Sequence, residues 1–156
     1  MRIQPGGLDI TLLPGRAALL PKSGTLIVAD LHLGKSATFR SRGLAIPEGS
    51  TSADLQRLKE IIKSTGAQQI VIAGDLIHSA DGWIETTQNQ LIDWLQEIQT
   101  PAILTEGNHD RRSHRGYTHL PLTVVKKIEI DGIFITHDPA DLPAGQTGIA
   151  GHLHPG

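Results

Sequence analysis

Short apolar runs rich in Ile, Val and Leu alternate along this chain with longer stretches in which apolar side chains recur every three or four positions. The first pattern predicts buried strands and the second amphipathic helices. Residues 8–13 and 17–20 flank Pro14-Gly15 and predict an opening hairpin. Thr25 to Asp30 is a continuous apolar run that closes on a carboxylate, and Gln69 to Asp75 is a second. Between them, the polar segment 34–42 predicts a short helix, stopped by Gly43 and Pro47. Ser52 or Asp54 is the expected cap of the next helix, which carries Leu55, Leu58, Ile61 and Ile62 on one face and ends at Gly66. Residues 83–98 predict a third helix on Ile84, Leu91, Trp94, Leu95 and Ile98, and Ala102 to Thr105 a third strand. Strand pairs are expected after that, at 122–125, 128–130, 133–136 and 147–150, with Asp131-Gly132 as a hairpin turn.

Strand, helix, strand, helix, strand implies an α/β fold with parallel pairing, and the later hairpins imply an antiparallel part or a second sheet. No repeat or linker-like tract interrupts residues 1–156, so one domain is expected. The longest apolar runs are four residues, whereas a membrane span needs roughly twenty. The start MRIQPGGLDI has no apolar stretch of signal length. A soluble, cytoplasmic protein without a membrane partner is the expectation. Fourteen Lys and Arg against 16 Asp and Glu leave a net charge of -2, so no global positive field draws in a polyanion. Five scattered aromatic residues do not make a base-stacking platform. The absence of cysteine removes disulfide scaffolds, thiolate metal sites and cysteine nucleophiles together.

Histidine changes the picture. Five of the eight histidines fall in polar clusters that follow predicted strands: Asp30-Leu-His32, Gly74-Asp75, Gly107-Asn-His-Asp110, Thr136-His137-Asp138 and Gly151-His-Leu-His154. Each cluster alone reads as helix capping, turn chemistry or a satisfied histidine. Together they place Asp, Asn and His at successive strand ends, where ligands gather in open α/β sheets, and that joint pattern reads as a metal site. Imidazole, carboxylate and amide oxygen suit divalent ions such as Mn2+, Fe2+ or Zn2+. An Asp-x-His pair on extended backbone would point both side chains the same way, and His152 and His154 repeat that spacing. The candidate ligands Asp30, His32, Asp75, Asn108, His137, His152 and His154 exceed what one tetrahedral ion needs. Two ions are therefore implied, with Asp75, on the central predicted strand, as the bridge.

The order Asp-x-His, Gly-Asp, Gly-Asn-His-Asp, His, Gly-His-x-His resembles the calcineurin-like metallophosphoesterases, with every element present. The stretches Asp30-Leu-His-Leu-Gly-Lys35, Phe39-Arg-Ser-Arg-Gly43, Pro47-Glu-Gly49 and Gly74-Asp-Leu-Ile-His-Ser79 resemble more narrowly the bacterial DNA ligase-associated metallophosphoesterases. Those are proposed DNA-damage-response endonucleases encoded beside a ligase and a helicase. The likeness runs from about residue 8 to the end. It implies a β-sandwich of mixed sheets flanked by helices and a metal-activated water that hydrolyses phosphodiesters, DNA foremost, with two divalent ions, Mn2+ before Fe2+ or Zn2+. It also implies DNA ligase and helicase as functional partners.

Carried over by motif, Asp30, His32, Asp75 and His154 would hold one metal, and Asp75, Asn108, His137 and His152 the other. His109 would contact the phosphate and serve the leaving group, oriented by Asp110. His78 is a candidate support of the site. Arg111, Arg112, His114 and Arg115 follow the third motif as a candidate phosphate clamp, with Arg40 and Arg42, beside Lys35, as weaker candidates. Two other functions fit the same residues less closely: hydrolysis of a small phosphoester or nucleotide, and a non-catalytic scaffold on the same fold. The chain stops at Gly156, two residues after His154, where the family continues with further strands. A C-terminally truncated form, or completion of the sheet by a second copy in a homo-oligomer, is the corresponding expectation.

Overall fold

The opening hairpin extends into a meander of four antiparallel strands, β1 (Arg2–Ile3), β2 (Ile10–Leu13), β3 (Ala17–Leu20) and β4 (Thr25–Ala29). The structure is a computed structural model and describes residues 1–113 and 115–153. From β4 onward the pairing turns parallel, through β5 (Gln69–Ala73), β6 (Ala102–Thr105) and β7 (Thr123–Val125). These seven strands lie in sequence order in one mixed sheet. Helices make the parallel crossovers: α1 (Lys35–Ser41) and α2 (Ser50–Thr65) before β5, α3 (Glu85–Ile98) before β6, and α4 (Asn108–Arg112) before β7. A second sheet follows, of β8 (Lys127–Ile130), β9 (Ile133–Thr136) and β10 (Gly148–Ala150) in the order β10-β9-β8. Asp131 and Gly132 both take positive φ, 55° and 81°, in the β8–β9 turn, as a tight hairpin requires.

The central strands are apolar throughout because both faces are covered. Leu26, Val28, Ile70, Ile72 and Leu104 face the helices and share a core with Leu55, Leu58 and Ile62 of α2 and Leu91, Trp94 and Leu95 of α3. The alternate positions Ile27, Val71 and Ala73 pack with Ile10 and Leu20 against Ile133 and Ile135 of the second sheet. Each such fully buried aliphatic side chain stabilises the fold by about 1.5–3 kcal/mol relative to exposure. The Trp94 indole donates to the Leu55 carbonyl at 2.8 Å and fixes α3 on α2. The result is the expected mixed-sheet sandwich with helices on the outer face of its larger sheet. No helix among the described residues is long and apolar enough to cross a membrane.

Three local expectations need correction. Strand β7 pairs with β6 in the large sheet and not with β8. Helix α2 begins at Ser50, after Gly49 with φ 103° and without a side-chain cap. Ser52 instead donates to the Gly49 carbonyl at 3.0 Å, and Asp54 pairs with Arg57 at 3.3 Å. Helix α3 begins at Glu85, which leaves Ile84 outside the helix and 45% exposed. Trp83 donates its indole N–H to the Gly116 carbonyl at 3.0 Å.

Candidate metal centre

Strands β4 and β5 end on left-handed residues: Asp30 (φ 50°) and His32 (φ 47°) after β4, and Asp75 (φ 45°) after β5. His152, just past β10, has φ 67°. A residue held in this region costs of order 1–3 kcal/mol, and such strain collects at functional sites. The reading of Asp-x-His as extended is therefore wrong for Asp30 and His32, and His152 is not extended either; the chain turns at each of these three residues. The two strand ends stay tied through the turns. Asp30 N–H donates to the Gly74 carbonyl at 3.2 Å, His32 N–H to that of Asp75 at 2.8 Å, and Leu33 N–H to that of Leu76 at 2.8 Å. Two motif glycines are imposed by crowding. A Cβ on Gly74 would lie 2.1 Å from His137 Nδ1, and one on Gly107 would lie 2.2 Å from Asp75 Oδ1.

The polar atoms converge between these turns. Asn108 Oδ1 lies 2.8 Å from His137 Nε2 and 3.1 Å from His152 Nδ1, and those two nitrogens are 3.1 Å apart. Asp75 faces both ways, with Oδ1 3.6 Å from His137 Nε2 and Oδ2 3.9 Å from His32 Nε2. Asp30 Oδ1 is 3.4 Å from His137 Nδ1, and both Asp30 oxygens accept the His152 N–H, at 3.2 and 3.0 Å. Asp30, His32 and Asp75 each bring a ligand atom within 4.8 Å of the others. Asp75 and His137 are 2% and 3% exposed, so their charges are poorly screened by solvent. Burial pushes the His137 imidazole toward neutrality, yet the hydrogen bond to Asp30, the Asp75 charge and the Ala73 carbonyl outweigh it and raise its pKa. Carboxylate and carbonyl oxygens that favour positive charge in this way suit bound cations.

The donor set is nitrogen and oxygen only and fits divalent ions. Asp30, His32 and Asp75 form one group, and Asn108, His137 and His152 another beside Asp75, with Asp30 also reaching His137 and His152. His154, the remaining expected ligand, lies outside the described residues, as does His114 of the candidate clamp.

His109 N–H donates to Asp75 Oδ1 at 2.9 Å, and its Nδ1 lies 2.6 Å from the His78 carbonyl. A carbonyl only accepts, so Nδ1 carries the proton and Nε2 is left to face the site. Asp110 was the expected orienting group for this ring, and the structure gives it other work. Its carboxylate, fully buried, accepts the N–H groups of Ile77 at 2.9 Å and Gly107 at 3.0 Å, tying α4 to the loop after β5. Burial pushes its pKa up to about 6, against those two hydrogen bonds. The His78 ring stacks on His109 with centroids 5.4 Å apart and meets His32 edge-on at 5.2 Å. Burial first, then the neighbouring His32 and His109, push His78 down to about 4, so it is neutral at physiological pH. The role of its main-chain carbonyl had no signal in the sequence.

The candidate clamp residues are largely paired with neighbouring carboxylates. Glu106 binds Arg115 at 2.9 Å and Arg111 at 3.9 Å, and also accepts the Tyr117 hydroxyl. Arg40 pairs with Glu48 at 3.1 Å and Arg42 with Asp81 at 3.3 Å. Arg112 is exposed on α4. A groove of 740 Å3 beside α4 is lined by Arg111, Arg115 and Lys126, but also by Glu106 and Asp141, and contains none of the converging donors.

The family model described as calcineurin-like phosphoesterase matches residues 25–154. Among solved structures, the chain is similar to nuclease MPE of Pseudomonas putida, with a TM-score of 0.85 and 28% identity, covering 99% of this chain and 73% of that one. A protein of unknown function from Aquifex aeolicus, AQ665, aligns at a TM-score of 0.47 and 22% identity, over 77% of this chain and 63% of that one. No curated protein matches.

Proposed function

The chain belongs to the calcineurin-like phosphoesterase family, and from that premise we propose that it is a dinuclear metal-dependent phosphodiesterase that cuts DNA internally, as a repair endonuclease. The observation that carries this reading is the two-sided placement of Asp75, whose oxygens face His32 on one side and His137 on the other. The choice of nucleic acid is supported by the likeness to a nuclease across 99% of the chain. Mn2+ is the proposed metal, held by Asp30, His32, Asp75 and His154 at one position and by Asp75, Asn108, His137 and His152 at the other. The chemistry supplied by ions bound there is Lewis acidity, which neutralises phosphate oxygens and lowers the pKa of the attacking water.

The chain's own residues do the rest. Asn108, fixed by contacts to His137 and His152, presents its carbonyl oxygen and not its NH2 to the centre. The His78 carbonyl holds the Nδ1 proton of His109. The proton exchanged with the reaction must then reside on His109 Nε2, which when protonated gives it to the departing oxygen. The Asp75 contact to the His109 main chain keeps that ring beside the metal ligands. Nothing in this arrangement calls for a covalent enzyme intermediate.

The test is an assay of the purified protein with Mn2+ against bis(p-nitrophenyl) phosphate, single-stranded DNA, nicked DNA and a mononucleotide. Hydrolysis of the diester and of DNA, abolished by EDTA, is the expected result. Intact DNA and diester would refute the proposal, and turnover of the mononucleotide alone would replace it with the small-phosphoester reading.

A further inference from the structure

We propose that Arg16, Lys35 and Arg57 form a subsite for a phosphate adjacent to the scissile one, and so favour a polymeric phosphodiester over an isolated one. The inference rests on the phosphodiesterase reading above. A cavity of 250 Å3 is lined at once by the ligand candidates Asp30 and His32 and by these three cations, with Asp54. The cations come from three separate segments: Arg16 from the β2–β3 turn, Lys35 from the start of α1, and Arg57 from α2. Arg57 donates to the Gly15 carbonyl and lies 3.3 Å from Asp54, so it fastens the hairpin turn to α2 and fixes the backbone that carries Arg16.

Charge sets this cavity apart from the paired arginines around the site, Arg112 being exposed on α4 and outside it. Asp54 is the partner of Arg57. Among the described residues, neither Arg16 nor Lys35 has a carboxylate within ion-pair distance, whereas Arg40, Arg42, Arg111 and Arg115 are each paired. Arg16 also takes φ 63°, a conformation that Gly or Asn adopts with less strain. Two cations without a carboxylate partner, lining a cavity that shares its wall with the proposed metal ligands, suit the one group that repeats along a nucleic acid backbone, the phosphate. The dimensions and charges carry no base selectivity, so the subsite reads backbone and not sequence.

The dinucleotide TpT holds only a scissile phosphate, whereas TpTpT offers a flanking phosphate to each bond. With Mn2+, wild-type protein is expected to show kcat/KM about 10-fold higher on TpTpT, and the Arg16→Gln/Lys35→Gln double variant is expected to lose that ratio. A second measurement uses fluorescence anisotropy of labelled single-stranded dT12 in EDTA, without turnover. There the double variant should bind about 10-fold more weakly, and the slope of log Kd against log salt should fall by about 1.4, or ~0.7 per lost contact. An unchanged ratio, or proportional loss on both nucleotides, overturns the subsite, as does binding of dT12 that is absent or indifferent to the double substitution. If wild-type protein hydrolyses neither nucleotide and leaves bis(p-nitrophenyl) phosphate and DNA intact, the phosphodiesterase reading fails by itself, and anisotropy still decides the subsite.

Discussion

His109 and Asp110 are neighbours on one short helix with opposite duties. The His109 ring faces the donor cluster, whereas Asp110 spends both oxygens on backbone N–H groups of Gly107 and Ile77. Their substitutions should therefore fail differently. His109→Ala is expected to keep its metal, melt with the wild type and lose about 10²–10⁴ in kcat. Asp110→Asn can satisfy only one of the two N–H groups, so urea unfolding should show a loss of about 1–3 kcal/mol. The pH dependence has a defined sign. A folded pKa of about 6 against an ordinary 3.8 means that the proton is held more tightly in the folded state. The associated stability is complete below about 3.8 and is lost as pH rises through about 6; Asp110→Asn removes that slope. Equal metal loss in both variants, or no stability loss in Asp110→Asn, would contradict these roles. At this scale the sequence made the candidate ligands legible through their spacing. It could not show that a main-chain carbonyl, at His78, orients His109, because every residue has one.

At the scale of elements, the strand ends carry the strain and the glycines carry the crowding. Gly107 leads into α4 with no room for a side chain, since its Cβ would meet Asp75 Oδ1 at 2.2 Å. Gly107→Ala is expected to retain wild-type circular dichroism and to weaken Mn2+ binding by about 10–100-fold, as displaced support of a metal ligand does. Unchanged affinity in a calorimetric titration would show that Asp75 tolerates displacement. The strands β4, β5 and β6 and the helices α2 and α3 were legible because apolar periodicity is a local signal with burial behind it. Strand β7 was not assignable to a sheet, since its three residues have no fully buried position to mark a face. The left-handed turns at Asp30, His32 and Asp75 were also hidden, because no Gly or Asn stands at those positions to mark them.

The whole molecule gathers the ends of five strands from two sheets (β4, β5, β6, β9 and β10), with residues from Asp30 to His152, into one cluster. The sandwich makes this workable: one face of the large sheet is sealed by α2 and α3 and the other by Ile133 and Ile135, so the ligand turns sit on a rigid base. Composition, with its net charge of -2, argued against strong attraction to a polyanion. It averaged away the local excess at Arg16 and Lys35, which only the folded arrangement places beside the site. The layered α/β architecture could be inferred from the order of apolar runs, whereas this charge distribution depends on side-chain pairing between distant segments. The central claim is a pair of metal ions that share Asp75, and calorimetric titration of metal-free protein with Mn2+ tests it most directly. The account predicts about two ions per wild-type chain and loss of both in Asp75→Ala. Saturation at one ion or none in the wild type, or undiminished binding by Asp75→Ala, would contradict it.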